Sequence, residues 1–238
     1  MKIRIILSYI LLVFMVFYKS CEKDPTSSNE IKTGTVSDID GNVYQTVKIG
    51  NQWWMAENLK VTKYRNGDLI PKVIINTVWD TISIGAYGIY NNNDSIFDIY
   101  GGLYNWHAVN DSRNIAPIDW HIPTDEEWKQ LELFLGICES DIDTIGYRGT
   151  YEGNYLKSET GWDNDGNGVD KYSFSVLPGG ARNAGGDYLN IGIRAYFWSS
   201  SQNNSTSAWS RHLDCDSMKI ARYYNRKDDG FTIRCVKD

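Results

Sequence analysis

The stretch Asp163–Asp170, with the sequence DNDGNGVD, places oxygen-bearing side chains at alternate positions ahead of Gly168. Calcium-binding loops share this pattern, because alternate Asp and Asn side chains direct their oxygens at one cation and the glycine permits a sharp bend. The helix-loop-helix form of the motif also needs a glutamate six residues after the glycine, where this chain has Phe174. The candidate calcium ligands are Asp163, Asp165, Asn167 and Asp170. The alternative, which we favour, is a polar turn that positions Trp162 and Tyr172.

Tryptophan and tyrosine are frequent in the chain, with nine Trp and sixteen Tyr against seven Phe. Several of them lie beside Asn, Gln, Asp or Arg in the stretches NQWWMAEN, TGWDND and RAYFWSSSQNNSTSAWSRH. A flat apolar ring beside short polar groups is suited to binding a sugar. The predicted ligand-binding residues are Trp162, Arg182, Asn183, Tyr196, Trp198, Trp209 and Arg211. The alternative is that these aromatic residues fill the core while their polar neighbours form turns.

The sequence lacks the motifs of common catalytic sites. It has no G-x-S-x-G nucleophile turn, no phosphate-binding glycine loop, and no His or Cys pair at the spacing of a metal site. His107, His121 and His212 are isolated from one another, and we expect His121 to satisfy backbone groups near the start of a helix. We therefore predict no catalytic residues, no enzymatic activity and no cofactor beyond a possible calcium ion.

The charge balance argues against nucleic acid as a partner. The formal net charge is -6, and removal of the first twenty residues would leave 21 basic and 30 acidic residues, for a charge of about -9. Nucleic-acid binding depends on clustered Lys and Arg side chains that displace counterions from phosphates, and this sequence has no such cluster.

The first twenty residues have the features of an export signal. Lys2 and Arg4 precede the apolar run Ile5–Phe17, which is too short to span a bilayer as a helix. Ser20 and Cys21 then resemble the end of a lipobox, although Tyr18 and Lys19 depart from its usual residues. We predict a signal peptide at residues 1–20, lipidation of Cys21 and a polar tether at residues 21–32. The alternatives are plain secretion and an uncleaved anchor.

Three further cysteines, Cys138, Cys215 and Cys235, allow at most one disulfide among themselves. The sequence does not select a pair, and buried free thiols are an equally good interpretation.

The elements that position these residues are predicted from hydrophobic periodicity. Val43–Ile49 and Gln52–Met55 alternate apolar and polar residues on either side of a Gly-Asn turn, which predicts a β-hairpin. Residues 62–97 contain many turn signals and are expected to form a long surface excursion with one or two short strands. Residues 195–238 contain four runs that predict closing antiparallel strands.

One helix is predicted after Thr124. Thr124 and Glu127 have the spacing of a capping box, in which each side chain hydrogen-bonds the backbone of the other residue. An apolar stripe at helical spacing follows, and Gly136 ends the helix. The stripe consists of Trp128, Leu131, Leu135 and Cys138. These elements predict one α+β domain over residues 33–238.

Seven ordered stretches of the chain together resemble one family, the Fibrobacter succinogenes major paralogous domain. They are IGNQWWMAENLKVTKYRNGDLIP, YGGLYNWHAVN, WHIPTDEEW, GYRGTYEGNYLKSETGW, GNGVDKYSFSVLPGGARN, YFWSSSQNNSTSAWSRHL and GFTIRCVKD. Members are typically exported, often as lipoproteins of Bacteroidetes-type bacteria. The resemblance extends to the fold of C-type lectins and formylglycine-generating (sulfatase-modifying) enzymes, and it implies termini close together on neighbouring strands. The paired cysteines of those enzymes and the calcium signatures of lectins are missing.

These observations predict a non-catalytic lipoprotein of the outer membrane or cell surface that recognises a glycan or another surface protein. One alternative is a structural or adhesion component of the cell envelope. A second is an enzyme of the sulfatase-modifying type, which would require copper and a reactive thiol. The lipid anchor is the only membrane contact expected.

Overall fold

The computed structural model describes residues 30–238. The predicted signal peptide, Cys21 and the tether up to residue 29 lie outside this range. Within it the strands are β1 (Thr33–Ser37), β2 (Val43–Ile49), β3 (Gln52–Met55), β4 (Tyr87–Gly88), β5 (Leu103–Tyr104), β6 (Trp120–His121), β7 (Gly146–Arg148), β8 (Gly179–Arg182), β9 (Tyr188–Ile191), β10 (Arg194–Gln202), β11 (Ser207–Asp214), β12 (Ile220–Arg226) and β13 (Val236–Lys237). The helices are α1 (Asn76–Trp79), α2 (Asp94–Tyr100), α3 (Trp106–Val109), α4 (Asp125–Leu135) and α5 (Glu152–Leu156).

The first sheet has the strand order β1-β2-β3-β13-β6. The predicted hairpin of β2 and β3 is confirmed, with Val47 opposite Trp54 and a turn in which Gly50 has a φ of 61°. Glycine suits this turn because a left-handed φ carries no Cβ penalty there. The terminal strands β1 and β13 share the sheet but are separated by β2 and β3. They are therefore not the direct neighbours that the family resemblance implied.

The second sheet has the order β7-β12-β11-β10-β8-β9. The predicted closing strands are confirmed for β10, β11 and β12, which pair antiparallel in sequence order. The last predicted strand is shorter than expected, since only Val236–Lys237 is regular. Together with the few short helices, the two sheets form the predicted α+β architecture.

The predicted helix is confirmed as α4. The Glu127 amide donates to the Thr124 hydroxyl at 3.2 Å, and a carboxylate oxygen of Glu127 accepts from the Thr124 amide at 2.8 Å, which completes the capping box. Gly136 caps the other end with a φ of 123°, so Cys138 lies beyond the helix rather than on its stripe. Trp128, Leu131 and Leu135 are buried as predicted.

Helix α4 packs against both sheets through Trp128. The Trp128 ring lies 4.8 Å from the ring of Trp54 on β3 and 5.7 Å from that of Phe197 on β10. Burial of such large rings removes much apolar surface from water and dominates the energy of this junction. The stripe of α4 therefore joins the two sheets into one hydrophobic cluster.

Residues 62–97 are not the surface excursion that their turn signals predicted. Tyr64, Trp79 and Tyr87 are buried, and the Trp79 indole donates to the carbonyl of Asp228 at 3.0 Å. The segment instead covers part of the core with short elements. Local turn signals mark where the chain bends, but they carry no information on which bends are packed against other residues.

Cys215 and Cys235 are buried free thiols, so neither is bonded to the other or to Cys138. Within residues 30–238 no helix is both long enough and apolar enough to cross a membrane.

A buried ionic cluster fixes α4 against the second sheet. Its members are Asp125 and Glu132 of α4, Arg148 of β7, Arg211 of β11 and Arg222 of β12. Arg211 donates to Glu132 at 2.6 Å and to Asp125 at 2.7 Å. Arg222 forms a two-point contact with Asp125, and Arg148 donates to Glu132 at 2.8 Å. Glu132, Arg148 and Arg211 have fully buried side chains.

Replacement of Glu132 by Gln is expected to destabilise the protein by about 3 kcal/mol or more. The change keeps the size of the side chain but leaves the buried guanidinium groups of Arg148 and Arg211 without their shared carboxylate. Urea unfolding followed by circular dichroism measures the loss. The matched control is Glu126→Gln, one residue after Asp125 on α4, where the side chain is 74% exposed and a change within about 0.5 kcal/mol is expected. Equal, small effects of the two variants would contradict a stabilising role for the cluster.

Candidate functional site

Most of the predicted ligand-binding residues are buried. The buried members are Trp162, Arg182, Tyr196, Trp198 and Arg211. Trp198 illustrates their role, since its indole N–H donates to the carbonyl of Tyr104 at 2.9 Å and its ring stacks on Phe231 at 4.4 Å. Both its polar atom and a ring face are thus occupied by the protein. For these five residues the geometry favours the packing interpretation over a sugar-binding one.

Arg182 anchors the loops around it. Its guanidinium donates to the carbonyls of Val73 at 2.5 Å and Gly186 at 2.9 Å, and it lies 4.4 Å above the ring of Trp79. Tyr188 stacks near it at 4.9 Å. Burial lowers the pKa of Arg182 from its usual value, although the group stays cationic. Its hydrogen bonds hold residues 73 and 186 together, 113 positions apart in sequence.

Two of the four predicted calcium ligands, Asn167 and Asp170, already have partners in residues that flank the loop. The side-chain oxygen of Asn167 accepts from the Trp162 amide at 3.1 Å, and the Asp170 carboxylate accepts from the Ser175 amide and hydroxyl at 2.8 and 2.6 Å. Within residues 30–238 no three His, Cys, Asp or Glu side chains converge as a metal site. This geometry supports the polar-turn interpretation, in which the loop positions Trp162.

Ser210 and His212 form a pair that would suggest a nucleophile and its base. The Ser210 hydroxyl lies 3.1 Å from Nε2 of His212, and both groups contact the Asn225 side-chain oxygen, at 2.8 and 3.2 Å. Ser210 is fully buried, and burial together with the nearby charge of Arg194 lowers the pKa of His212 to about 3. A general base works best with a pKa near the operating pH, so His212 is poorly suited to that task.

His121 binds two carboxylates rather than the backbone groups that the sequence predicted. Its Nε2 lies 2.7 Å from Glu127 and its Nδ1 lies 2.5 Å from Asp238. Hydrogen bonding to Glu127, and then to Asp238, raises the pKa of His121. The protonated ring therefore links β6, the start of α4 and the end of the chain. His107 has one similar contact, to Asp228 at 3.2 Å.

Trp209 and Asn183 are the predicted ligand-binding residues that remain partly exposed. The Arg222 guanidinium lies 3.5 Å from the centre of the Trp209 ring, and Tyr224 meets that ring edge-on at 5.7 Å. Asn183 uses its side-chain oxygen to accept from the Asp187 amide at 2.8 Å. The Trp209 ring and the Asn183 side-chain oxygen thus already contact other residues of the protein.

An exposed groove lies between the β2–β3 turn and the outer side of α4. Its volume is about 480 Å³. It is lined by Ile49, Gly50, Asn51, Gln52, Gln130, Leu133 and Phe134. Three of these residues carry amide side chains, and Phe134 is 50% exposed. The Gln52 amide is engaged within the protein, because it donates to the Glu127 carbonyl at 3.1 Å and accepts from the Trp54 indole at 3.3 Å. We call this space the amide groove.

The aromatic wall of the amide groove continues along the surface. The Phe134 ring meets the Tyr172 ring edge-on at 5.8 Å, and Tyr172 meets Tyr155 edge-on at 6.3 Å. Tyr155 and Tyr172 are half-buried. We call Phe134, Tyr172 and Tyr155 the aromatic row. The amide groove and the aromatic row share Phe134, so apolar rings lie beside hydrogen-bonding groups.

Only part of this site is predictable from the sequence. Asn51 and Gln52 belong to the stretch NQWWMAEN, which was singled out for its polar and aromatic residues. Tyr172 was expected to be positioned by the polar turn. Phe134 was missed, although it carries a signal: it lies off the apolar stripe of an amphipathic helix and is therefore an aromatic residue directed away from the core.

The model of the Fibrobacter succinogenes major domain matches residues 47–237, from the end of β2 to β13. The chain belongs to this family. Both the amide groove and the ionic cluster lie inside the matched Fibrobacter succinogenes major domain. No curated protein and no solved structure matches the chain. The lipid anchor and the lectin-like fold, which the resemblance also implied, stay predictions.

The His121 contacts predict a pH dependence of stability for the domain. Because the folded-state pKa is raised, the stabilisation is fully present below the unfolded value of about 6.5 and is lost as the pH rises through the folded-state pKa. His121→Gln should therefore reduce the free energy of unfolding by about 0.5–1 kcal/mol at pH 6, in the range of a solvent-screened ion pair, and by less at pH 9.

Urea titrations at several pH values measure this difference. Lys237→Gln, an exposed change on β13 that leaves the His121 contacts intact, provides the control and should show no comparable trend. A difference between wild type and His121→Gln that grows with pH would contradict the assignment.

Proposed function

We propose that the chain is a non-catalytic binding protein that recognises a glycan through the amide groove and the aromatic row. The observation that carries this proposal is the juxtaposition of two exposed amide residues, Asn51 and Gln130, with the exposed side chain of Phe134. Amide groups can donate to and accept from sugar hydroxyls, while an aromatic ring covers the apolar side of a sugar. A concave site with a few polar groups is typical of small-ligand binding.

The aromatic row suits an extended ligand better than a single sugar unit. Its ring centres are spaced by 5.8 Å between Phe134 and Tyr172 and by 6.3 Å between Tyr172 and Tyr155. Edge-on contacts leave the rings tilted relative to one another, so they present a stepped surface rather than one plane. A chain of sugar units can contact successive rings while its hydroxyl groups reach the amides.

The side chains with catalytic potential favour a non-enzymatic role. Ser210 is inaccessible, and the pKa of His212 is too low for efficient proton abstraction at neutral pH. Burial raises the pKa of the Cys235 thiol well above its usual value, which disfavours the reactive thiolate. Cys215 is also buried. These environments do not favour the alternative of a sulfatase-modifying enzyme, which would need a reactive thiol.

We also propose a C-type-lectin-like arrangement for the domain. Support comes from the presence of the first and last strands in one sheet and from a single long helix that packs across both sheets. The proposed role of the amide groove does not depend on this finer classification, because fold by itself does not determine function.

For its location, we propose export and attachment to the outer membrane or cell surface through a lipid on Cys21. The support is the sequence pattern of residues 1–21. Such an anchor would leave the amide groove free to meet a ligand outside the membrane. Acyl chains hold a protein to a bilayer by about 0.8 kcal/mol for each buried methylene group.

Metabolic labelling with a palmitate analogue tests the anchor. The full chain should incorporate label and partition with membranes, and Cys21→Ala should lose both properties because the lipid acceptor is gone. Cys215→Ala is the matched control and should remain labelled, since this thiol is buried in the domain. Retention of label by Cys21→Ala would refute the assignment.

The groove predicts a specific pattern of binding defects. Phe134→Ala and Tyr172→Ala should each weaken glycan binding by roughly fivefold, since each removes an aromatic contact worth about 1 kcal/mol. A glycan array identifies the ligand, and isothermal titration calorimetry gives the affinities. Tyr224→Ala is the control, because this tyrosine is 49% exposed but lies beside Trp209 and not in the aromatic row.

The same measurements address the structural or adhesion alternative. Tyr147, Tyr151 and Tyr224 expose 41–56% of their surface and would suit a protein partner. If no glycan or cell-wall fraction binds, and envelope proteins co-purify in a manner that depends on Tyr224, the glycan proposal fails and the alternative replaces it.

A further inference from the structure

Lys171 adds a positive charge to the aromatic row. Its ammonium nitrogen lies 4.6 Å from the ring centre of Tyr155 and 5.7 Å from that of Tyr172, close enough for cation–π attraction. Lys171 is exposed, and among residues 30–238 no carboxylate lies within ion-pair distance of it. The charge is therefore held at the aromatic row without a counterion from the described part of the chain.

Two acidic residues beside the aromatic row and the groove, Asp170 and Glu127, are engaged elsewhere. Asp170 precedes Lys171, but its carboxylate accepts from the Ser175 amide and hydroxyl. The backbone carbonyl of Glu127 accepts from the Gln52 side chain at 3.1 Å, whereas its carboxylate binds His121. The groups available to a ligand are thus the neutral amides of Asn51 and Gln130, the apolar rings and one cation.

This distribution of charge differs from that of the whole protein. The chain has 30 acidic and 24 basic residues, so its net charge of -6 disfavours anions overall. A cation beside a neutral groove attracts an anionic group locally and fixes its position relative to the rings. Charge complementarity of this kind contributes chiefly to specificity and to the rate of association.

We infer that the ligand of the amide groove is an acidic polysaccharide, with a carboxylate or sulfate group bound by Lys171 and uncharged hydroxyl groups bound by the amides. This inference rests on the proposed glycan-binding function and narrows its ligand class. A uronic acid and a sulfated sugar both supply the anion beside a sugar ring, so the two sources share the recognised chemistry.

Titration calorimetry of the full chain with polygalacturonate, dextran sulfate and uncharged dextran tests the inference. At least one of the two acidic polymers should bind more tightly than dextran, and that polymer identifies whether the anion is carboxylate or sulfate. Lys171→Gln should weaken this binding about fivefold, whereas Lys171→Arg should retain most of it because the charge is preserved. Added salt should weaken wild-type binding more than that of Lys171→Gln.

The matched control is Lys72→Gln, which removes the same charge from the segment over residues 62–97, where Lys72 pairs with Asp94. It should leave binding unchanged. The acidic-ligand inference would be overturned if dextran bound as tightly as both acidic polymers and Lys171→Gln lost no affinity. A loss of affinity in Phe134→Ala would then leave the glycan function intact. Loss of affinity in Lys72→Gln equal to that in Lys171→Gln would overturn the assignment to Lys171. An absence of binding to any glycan would overturn the proposed function itself.

Discussion

The buried ionic cluster between α4 and the second sheet is the constraint on which the rest of the structure depends. Asp125 and Glu132 are seven residues apart, so they lie on the same side of the helix two turns apart. Arg211 and Arg222 lie opposite each other on β11 and β12. A buried carboxylate is costly unless it is paired, and only one rotation and one height of α4 bring both carboxylates to the guanidinium groups.

This placement of α4 determines where a ligand can bind. With the ionic cluster and the stripe of Trp128 directed inward, Gln130, Leu133 and Phe134 are left on the opposite side of the helix. They meet the β2–β3 turn, where Gly50 allows close contact: a Cβ at this position would lie 3.0 Å from the Phe134 ring. The proposed site is thus built on a helix held by buried charges, and such sites keep their geometry better than sites on loops.

The local elements of the fold were well predicted from sequence. Capping at Thr124, the β2–β3 hairpin and strands β10 to β12 all follow from interactions within a few residues or from alternation of side chains along a strand. Family membership was also predicted, because it depends on the order of motifs. Residues 62–97 were mispredicted because burial of Trp79 depends on Asp228, which is 149 positions away in the chain.

The candidate site was less predictable than the fold. Trp198 and Arg211 have the residue types of a sugar-binding surface, but the same properties serve a core that must satisfy buried N–H groups. Both Trp198 and Phe134 are aromatic residues, and this alone does not reveal that Trp198 is covered by Phe231 while Phe134 lines an open groove. That distinction depends on which elements pack on which side of α4 and the second sheet.

By itself, the sequence determined the α+β fold class, the main helix and strands, and the family. These depend on composition, short-range periodicity and motif order. It also determined that residues 163–170 form an oxygen-rich turn. Only the tertiary structure decided that Asn167 and Asp170 accept hydrogen bonds from Trp162 and Ser175, that Arg211 belongs to the ionic cluster, and that Phe134, Tyr172 and Tyr155 form one row. The physical reason is that burial and side-chain pairing depend on residues distant in the chain.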